Sequence, residues 1–436
     1  MKKVLILSYF FPPCQLTAAQ RSYGWAKCLR NEGWDPIVIT RNWEHHIAGP
    51  DDMHHDSGTN LIIEKTETHE THYVPFKGNL RDRLYSKHGK NKHTLLRKSL
   101  SLSELFLHHF SNKVISFSNL YDYALAYCKK NKDVQMIVVT GNPFELFRFG
   151  WLLNKHTGIP WIADYRDDWT TSEVNHSRGF ADVILRGLEQ RSERKWVGSA
   201  SAITSISPYY VKKISSFTKR PGQVIQNGFF EEDFVNFQNQ KLEEKFTVVY
   251  NGMLYPSQQI EVFLDGFKKL ADTHPDVRSR MSLRFPGILF LKHVAERVEK
   301  YMKGYEDLLE MTERISRKEV LQIQAQAHLL LMVSHKNAIG IPSSKIYEYL
   351  GLGKSVMVCP GDKDILDDTF KDYNLGLIAY SADEAFSQLN TLFSHYLKGE
   401  YQDLKPDRVY ISKFNRNEQA AILGKFMSNI LEHPGK

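Results

Sequence analysis

Short apolar runs alternate along this chain with longer stretches whose apolar residues recur every three or four positions. That is the pattern of buried strands alternating with amphipathic helices. The first cycle predicts a strand over 4–9, a helix over 17–30 ended at Gly33, and a strand over 36–40. A second series predicts a strand over 135–140 closed by Gly141, Asn142 and Pro143, a helix to about 157, and a strand over 160–164. A long polar-faced helix to about 198 follows, then a strand over 202–205, a short helix from Pro208 and a strand over 224–228. Residues 231–244 are polar and rich in Asn and Gln, as a linker would be.

The alternation then restarts, with strands over 246–251, 281–285, 308–311, 329–333, 356–358 and 375–380. Helices are expected over 260–273, 291–302, from the capping box Ser316/Glu319 to about 327, near Asp364, from Ser381 and Glu384, and over 415–431. Parallel strands with crossover helices throughout predict an α/β protein of two Rossmann-like β/α/β domains, 1–235 and 236–412, facing across a cleft.

The most informative stretch is 329–358. A strand leads into a loop holding Lys336, Gly340 and Pro342, and a helix opens at Ser343, Ser344 and Lys345. Ligands of open α/β sheets bind beyond the carboxyl ends of the strands, and a helix N-terminus favours an anion such as phosphate. Glu348, one turn on, suits a pair of sugar hydroxyls. The plainer alternative is that Ser343 caps the helix and Lys345 pairs with Glu348.

In the first half, ADYRDDW over 163–169 puts Asp164, Arg166, Asp167 and Asp168 just past a strand end. Such a cluster is either functional or a network in which Arg166 pairs with one aspartate. Arg21, near a helix start, reads as a solvated side chain or an anion contact. GxGxxG is absent after the first strand, where the chain reads Thr17, Ala18, Ala19, Gln20.

Composition narrows the class. At 436 residues, 42% hydrophobic and 25% charged, the chain has material for two ordinary cores. No run of 18 apolar residues occurs, so no spanning helix is expected. Four cysteines without CxxC spacing predict reduced thiols, a cytoplasmic location and no metal site. The net charge of +7 is unevenly spread. Residues 76–110 hold Lys77, Arg81, Arg83, Lys87, Lys90, Lys92, Arg97 and Lys98 against Asp82 and Glu104, interleaved with Leu95, Leu96, Leu102, Leu105, Phe106, Leu107 and Phe110. Two readings stand: an interfacial helix on an anionic membrane at its cytoplasmic face, or a solvated loop followed by an ordinary core helix. Nucleic acid is disfavoured, because no aromatic platform or recognition helix accompanies the charge.

SYFFPP, ADYRDDW, VIQNGF, YNG after the first strand of the second domain, and IPSSKIYEYLGLGKSVMV lie in the order of the landmarks of family 4 glycosyltransferases, which the chain resembles over nearly its whole length. That resemblance implies the GT-B fold and retaining transfer of a sugar from a nucleotide-diphosphate sugar to a hydroxyl acceptor, saccharide or lipid-linked, without a required metal. The donor would sit on the second domain, the acceptor on the first, and helix 413–436 would cross back to the first. Gly252, Lys345 and Glu348 match donor positions, with Glu348 toward the ribose. The chain departs from the pattern at Gly340, eight before Glu348, where a glutamate is usual, at Ala18 and Ala19, and at Tyr255, Pro256, Ser257 and Gln258, where an arginine and a lysine are usual. Phosphate charge then falls to Lys345, Lys336, the two serines and the backbone after Gly340, while Asp164, Arg166 and Asp167 go to the acceptor side or to the cleft's structure. A sugar-nucleotide epimerase of the same architecture and a non-catalytic nucleotide-sugar-binding scaffold are the alternatives.

Overall fold

The computed structural model describes residues 1–43, 54–89, 91–172, 180–402 and 404–433, so Lys90 and the segment leading into the helix after Trp169 lie outside the described residues. The chain divides into two units, Met1–Asn227 together with residues from Arg416 onward, and Gly228–Asn415.

The first unit carries β1 (Lys2–Ser8), β2 (Trp34–Arg41), β3 (Ile62–Lys65), β4 (Glu70–Val74), β5 (Val134–Thr140), β6 (Trp161–Tyr165), β7 (Ala202–Ser205) and β8 (Gly222–Val224). They form one sheet in the order β3-β4-β2-β1-β5-β6-β7-β8, parallel except where β3 runs against β4. Val4 sits between Pro36 and Met136 in the ladder, and Val4 through Leu7 are fully buried, covered on both faces as a central parallel strand must be. The helix Arg416–Glu432 belongs to this unit and packs on the helix Ala19–Cys28 and the turn Leu29–Glu32. Gly424 permits that approach, since a Cβ there would stand 2.7 Å from the Glu32 Cβ, and its carbonyl accepts the Trp34 indole N–H at 3.1 Å.

In the second unit β9 (Phe246–Val249), β10 (Met281–Phe285), β11 (Leu309–Met311), β12 (Leu329–Met332), β13 (Val356–Val358) and β14 (Gly376–Ile378) make a wholly parallel sheet ordered β11-β10-β9-β12-β13-β14. One face is covered by a core around Phe263, Phe267 and Phe393, the other by Phe234, Tyr349 and Phe370. Strand order runs outward in both directions from the β9/β12 boundary, and from β1/β5 in the first unit. The crevices that open sheets use for ligands therefore lie past the carboxyl ends of those strands.

Several expectations change. The strand expected over 224–228 forms instead at Gly222–Val224, because beyond Ile225 side chains take over the backbone groups: Arg21 binds the Ile225 carbonyl and Gln419 accepts the Gln226 N–H. The β3–β4 hairpin and the helices Leu80–His88 and Asn119–Lys130 add to the predicted elements. The Ser316/Glu319 capping box forms as read. An ordinary core helix after the basic loop does not: the helix Thr94–Leu107 has no buried residue.

Candidate functional site

Past β9 the chain turns through Tyr250, Asn251 and Gly252, and past β12 through residues 333–342. Gln258 ties the two loops together. Its amide donates to the Val333 carbonyl at 2.7 Å and accepts the Tyr255 N–H at 2.9 Å, while the Tyr250 hydroxyl donates to the Met253 carbonyl at 2.8 Å. The Lys336 N–H donates to the Ser257 carbonyl, and Ser257 Oγ lies 2.7 Å from His335 Nδ1. Arg297, bidentate to Glu261, adds bonds to the Tyr255 and Gln258 carbonyls. Tyr255, Ser257 and Gln258 thus fix loop geometry.

Into this frame comes Lys345, the first residue of the helix Lys345–Leu352. Its ammonium lies 4.9 Å from the Tyr250 ring centre, and a Cβ on Gly252 would come 3.4 Å from its Cε. Gly252, at φ +89°, makes the turn, and a side chain there would stand in ordinary contact with the lysine stem. Burial pushes the Lys345 ammonium down to about 8, with Glu348 acting the other way. Among the described residues no carboxylate lies within ion-pair distance of it, so the Lys345–Glu348 pair of the plainer alternative does not form.

Glu348 faces Arg317 instead, 3.7 Å from its Nε, and Arg317 also lies 3.6 Å from Asp233. Burial raises the Glu348 carboxyl, against the pull of Arg317, Lys345 and Gln324. Ser344 takes the cap position without a side-chain capping bond, and Ser343 Oγ accepts the Lys345 N–H only at 3.4 Å, so capping does not account for the serine pair. The Lys336 side chain is exposed. Gly340, at φ +74°, gives its N–H to the Asp364 carboxylate, so this donor is engaged. His335 is shifted toward its neutral form by burial and by Lys345. The structure therefore sets Gly252 beside the Lys345 stem, with Ser343 and Ser344 at the same helix start, Lys336 on the preceding loop and Glu348 one turn on, turned toward Arg317.

ADYRDDW is split. Asp164 in β6 is fully buried; its carboxylate accepts from Arg21 Nη2 at 2.7 Å, Arg21 Nε at 3.0 Å and Thr204 Oγ1 at 2.7 Å. Arg21 is therefore neither solvated nor an anion contact: it is 2% exposed, with further bonds to the Ile225 carbonyl and Asn227. Arg166 pairs with Asp167 at 3.0 Å near the surface, and Lys213 with Asp168 at 3.3 Å. All four cysteines are free thiols and buried. No described helix is long and apolar enough to cross a membrane, and the described residues hold no cluster of potential metal ligands.

No family model and no curated protein matches this sequence. Solved structures match in three dimensions over nearly the whole chain. Sucrose-phosphate synthase from Thermosynechococcus elongatus is 14% identical, with a TM-score of 0.61 over 99% of this chain and 100% of that one. Anabaena HepE in complex with UDP and glucose is 12% identical at 0.58, over 98% and 100%. A glycosyltransferase from Rickettsia africae is 11% identical at 0.60, over 99% of both. At this identity the likeness speaks for the fold, and the chain has the two Rossmann-like β/α units of the GT-B architecture.

Proposed function

We propose that the protein is a glycosyltransferase, similar to family 4, that moves a sugar from a nucleotide-diphosphate sugar to a hydroxyl acceptor with retention at the anomeric carbon. The observation that carries this reading is the Lys345 ammonium, threaded past Gly252 at the β9/β12 switch point with no carboxylate partner among the described residues, one helical turn from Glu348. Departure of the diphosphate is the demanding event, and a fixed cation with hydroxyl donors aimed at its growing charge lowers that barrier. Lys345 is that cation, and Ser343 and Ser344 add donors. Glu348, oriented by Arg317, accepts from the ribose hydroxyls. Gly340 contributes its N–H only when Asp364 gives it up, and Lys336 meets the outer phosphate.

Asp164 has no exposed surface, so its part is to hold the first unit's frame, while Arg166 and Asp167 are left to meet an acceptor. The resemblance to family 4 implies that no metal is required. The acceptor is a saccharide or a lipid-linked saccharide of cell-surface polysaccharide or glycolipid assembly, and the enzyme works at the cytoplasmic side of a membrane. HepE is seen with UDP and glucose, which makes UDP-glucose the first donor to try.

The scaffold alternative draws support from Gly340, where a glutamate is usual and where Asp364 binds the backbone. One experiment separates the two. Thermal unfolding is followed with UDP, GDP, ADP, CMP and their sugars, and any stabilising sugar nucleotide is then incubated with acceptors and the product's anomeric configuration read by NMR. A ligand at a hundred times its Kd adds about 2.7 kcal/mol. Stabilisation with turnover and retained configuration is expected. Stabilisation without turnover on any acceptor, or hydrolysis, turns the reading to the scaffold, and no stabilisation by any nucleotide removes both.

A further inference from the structure

The helix Thr94–Leu107 is built inside out. At 100° per residue, Arg97, Leu100, Ser101 and Glu104 fall on one side, and these are its half-buried residues. Leu95, Leu102 and Phe106 form a stripe on the opposite side, 83%, 55% and 45% exposed, Leu96 and Leu105 flank it at 48% and 42%, and Leu107 and Phe110, at and beyond the helix end, are exposed as well. The polar side is satisfied within the protein. Glu104 pairs with Arg81 at 2.7 Å and accepts from Asn79, and Arg97 stacks over Tyr85. A soluble helix turns its apolar stripe to the core. This one turns it outward, and a contiguous apolar patch of that kind marks an interaction surface.

Charge selects the occupant. Residues 76–110 hold eight lysines and arginines against two acids. Both acids are already engaged inside the helix pair, Asp82 by Arg81 at 3.1 Å and by His54 at 2.9 Å, Glu104 by Arg81. A groove of about 570 Å³ between this helix and Leu80–His88 is lined by Lys98, by Arg81, Arg97 and His54, whose internal partners are those just named, and by Leu102 and Leu105, so Lys98 is the cation it offers to a phosphate. Cationic groups beside an apolar stripe match a phosphate headgroup beside acyl chains.

We propose that this face docks on an anionic phospholipid bilayer, with Leu95, Leu102 and Phe106 in the acyl boundary and the groove against lipid phosphates. The inference uses no nucleotide and no sugar, so it stands or falls apart from the donor site. The test is sedimentation of the full chain with phosphatidylcholine vesicles, with and without phosphatidylglycerol. Binding is expected only with phosphatidylglycerol, and falls as salt is raised. Leu102→Ser/Phe106→Ser, at exposed positions, is expected to keep the wild-type melting temperature and to lose at least about tenfold in vesicle affinity. Lys98→Gln is expected to lose about fivefold. Equal binding to neutral vesicles, no binding to either, or a folded double variant that binds like the wild type overturns the proposal. So does a dimer, by sedimentation velocity, that the same double substitution dissociates, since the stripe would then be a self-association face.

Discussion

Arg21 with Asp164 in the first unit and Lys345 with Glu348 in the second each bring a cation and a carboxylate near a strand end, with opposite outcomes. Asp164 has its lone pairs filled by Arg21 and Thr204 and no exposed surface. Glu348 keeps 28% of its side chain exposed against a distant Arg317, and Lys345 lacks a carboxylate partner among the described residues. A buried, fully bonded pair is spent on holding the chain, whereas a partly desolvated cation without a partner is free to meet a ligand. Motif content alone does not distinguish the two pairs; the count of satisfied bonds does.

The contrast can be broken hardest at Asp164. Asp164→Ala leaves Arg21 charged and buried, and a loss of about 3–5 kcal/mol is expected by denaturant unfolding. Arg21→Met/Asp164→Leu is expected to recover a large part of it. Lys345→Met should act in the opposite sense: at pH 7 the ligand-free protein keeps or raises its melting temperature, because a desolvated ammonium is removed, while the roughly 2.7 kcal/mol stabilisation from nucleotide at a hundred times its Kd disappears. A ligand-free protein that unfolds on this substitution would place Lys345 with the structural pair. Gly252→Ala sharpens the geometry, because a side chain at φ +89° is strained at the turn against which the lysine stem lies; a loss of about 1–3 kcal/mol is expected, together with weaker nucleotide binding.

A further effect is in pH. Lys345 is depressed to about 8 from 10.5, so between those values the unfolded chain holds more protons and stability rises with pH. Lys345→Met should flatten that rise in urea titrations, and wild-type nucleotide affinity should fall above pH 8 as the ammonium is lost.

The order of strands and helices was legible because parallel strands buried on both faces leave continuous apolar runs, as at 4–7 and 329–332. Gly252, Lys345 and Glu348 were singled out by the resemblance, and Lys345 and Glu348 also by their place in one helix turn; the structure sets Gly252 beside the Lys345 stem. Arg21 was misread because its partner lies 143 residues away, and nothing local to a helix start reveals a buried carboxylate. Gln258 and Arg317 were missed for a similar reason: one braces two loops through backbone groups, and the other emerges from a capping box that announces only a helix start. Periodicity showed that 94–107 has an apolar side, but period alone does not say which side faces the protein.

The helix Arg416–Glu432 bears on how the chain is made. The second unit is contiguous, so every residue it needs has been synthesised once Asn415 has left the ribosome. The first unit, begun earlier, must wait for the segment that covers Trp34 and the helix Ala19–Cys28. During translation the later half can complete its core first, leaving the earlier half as the species that chaperones would meet.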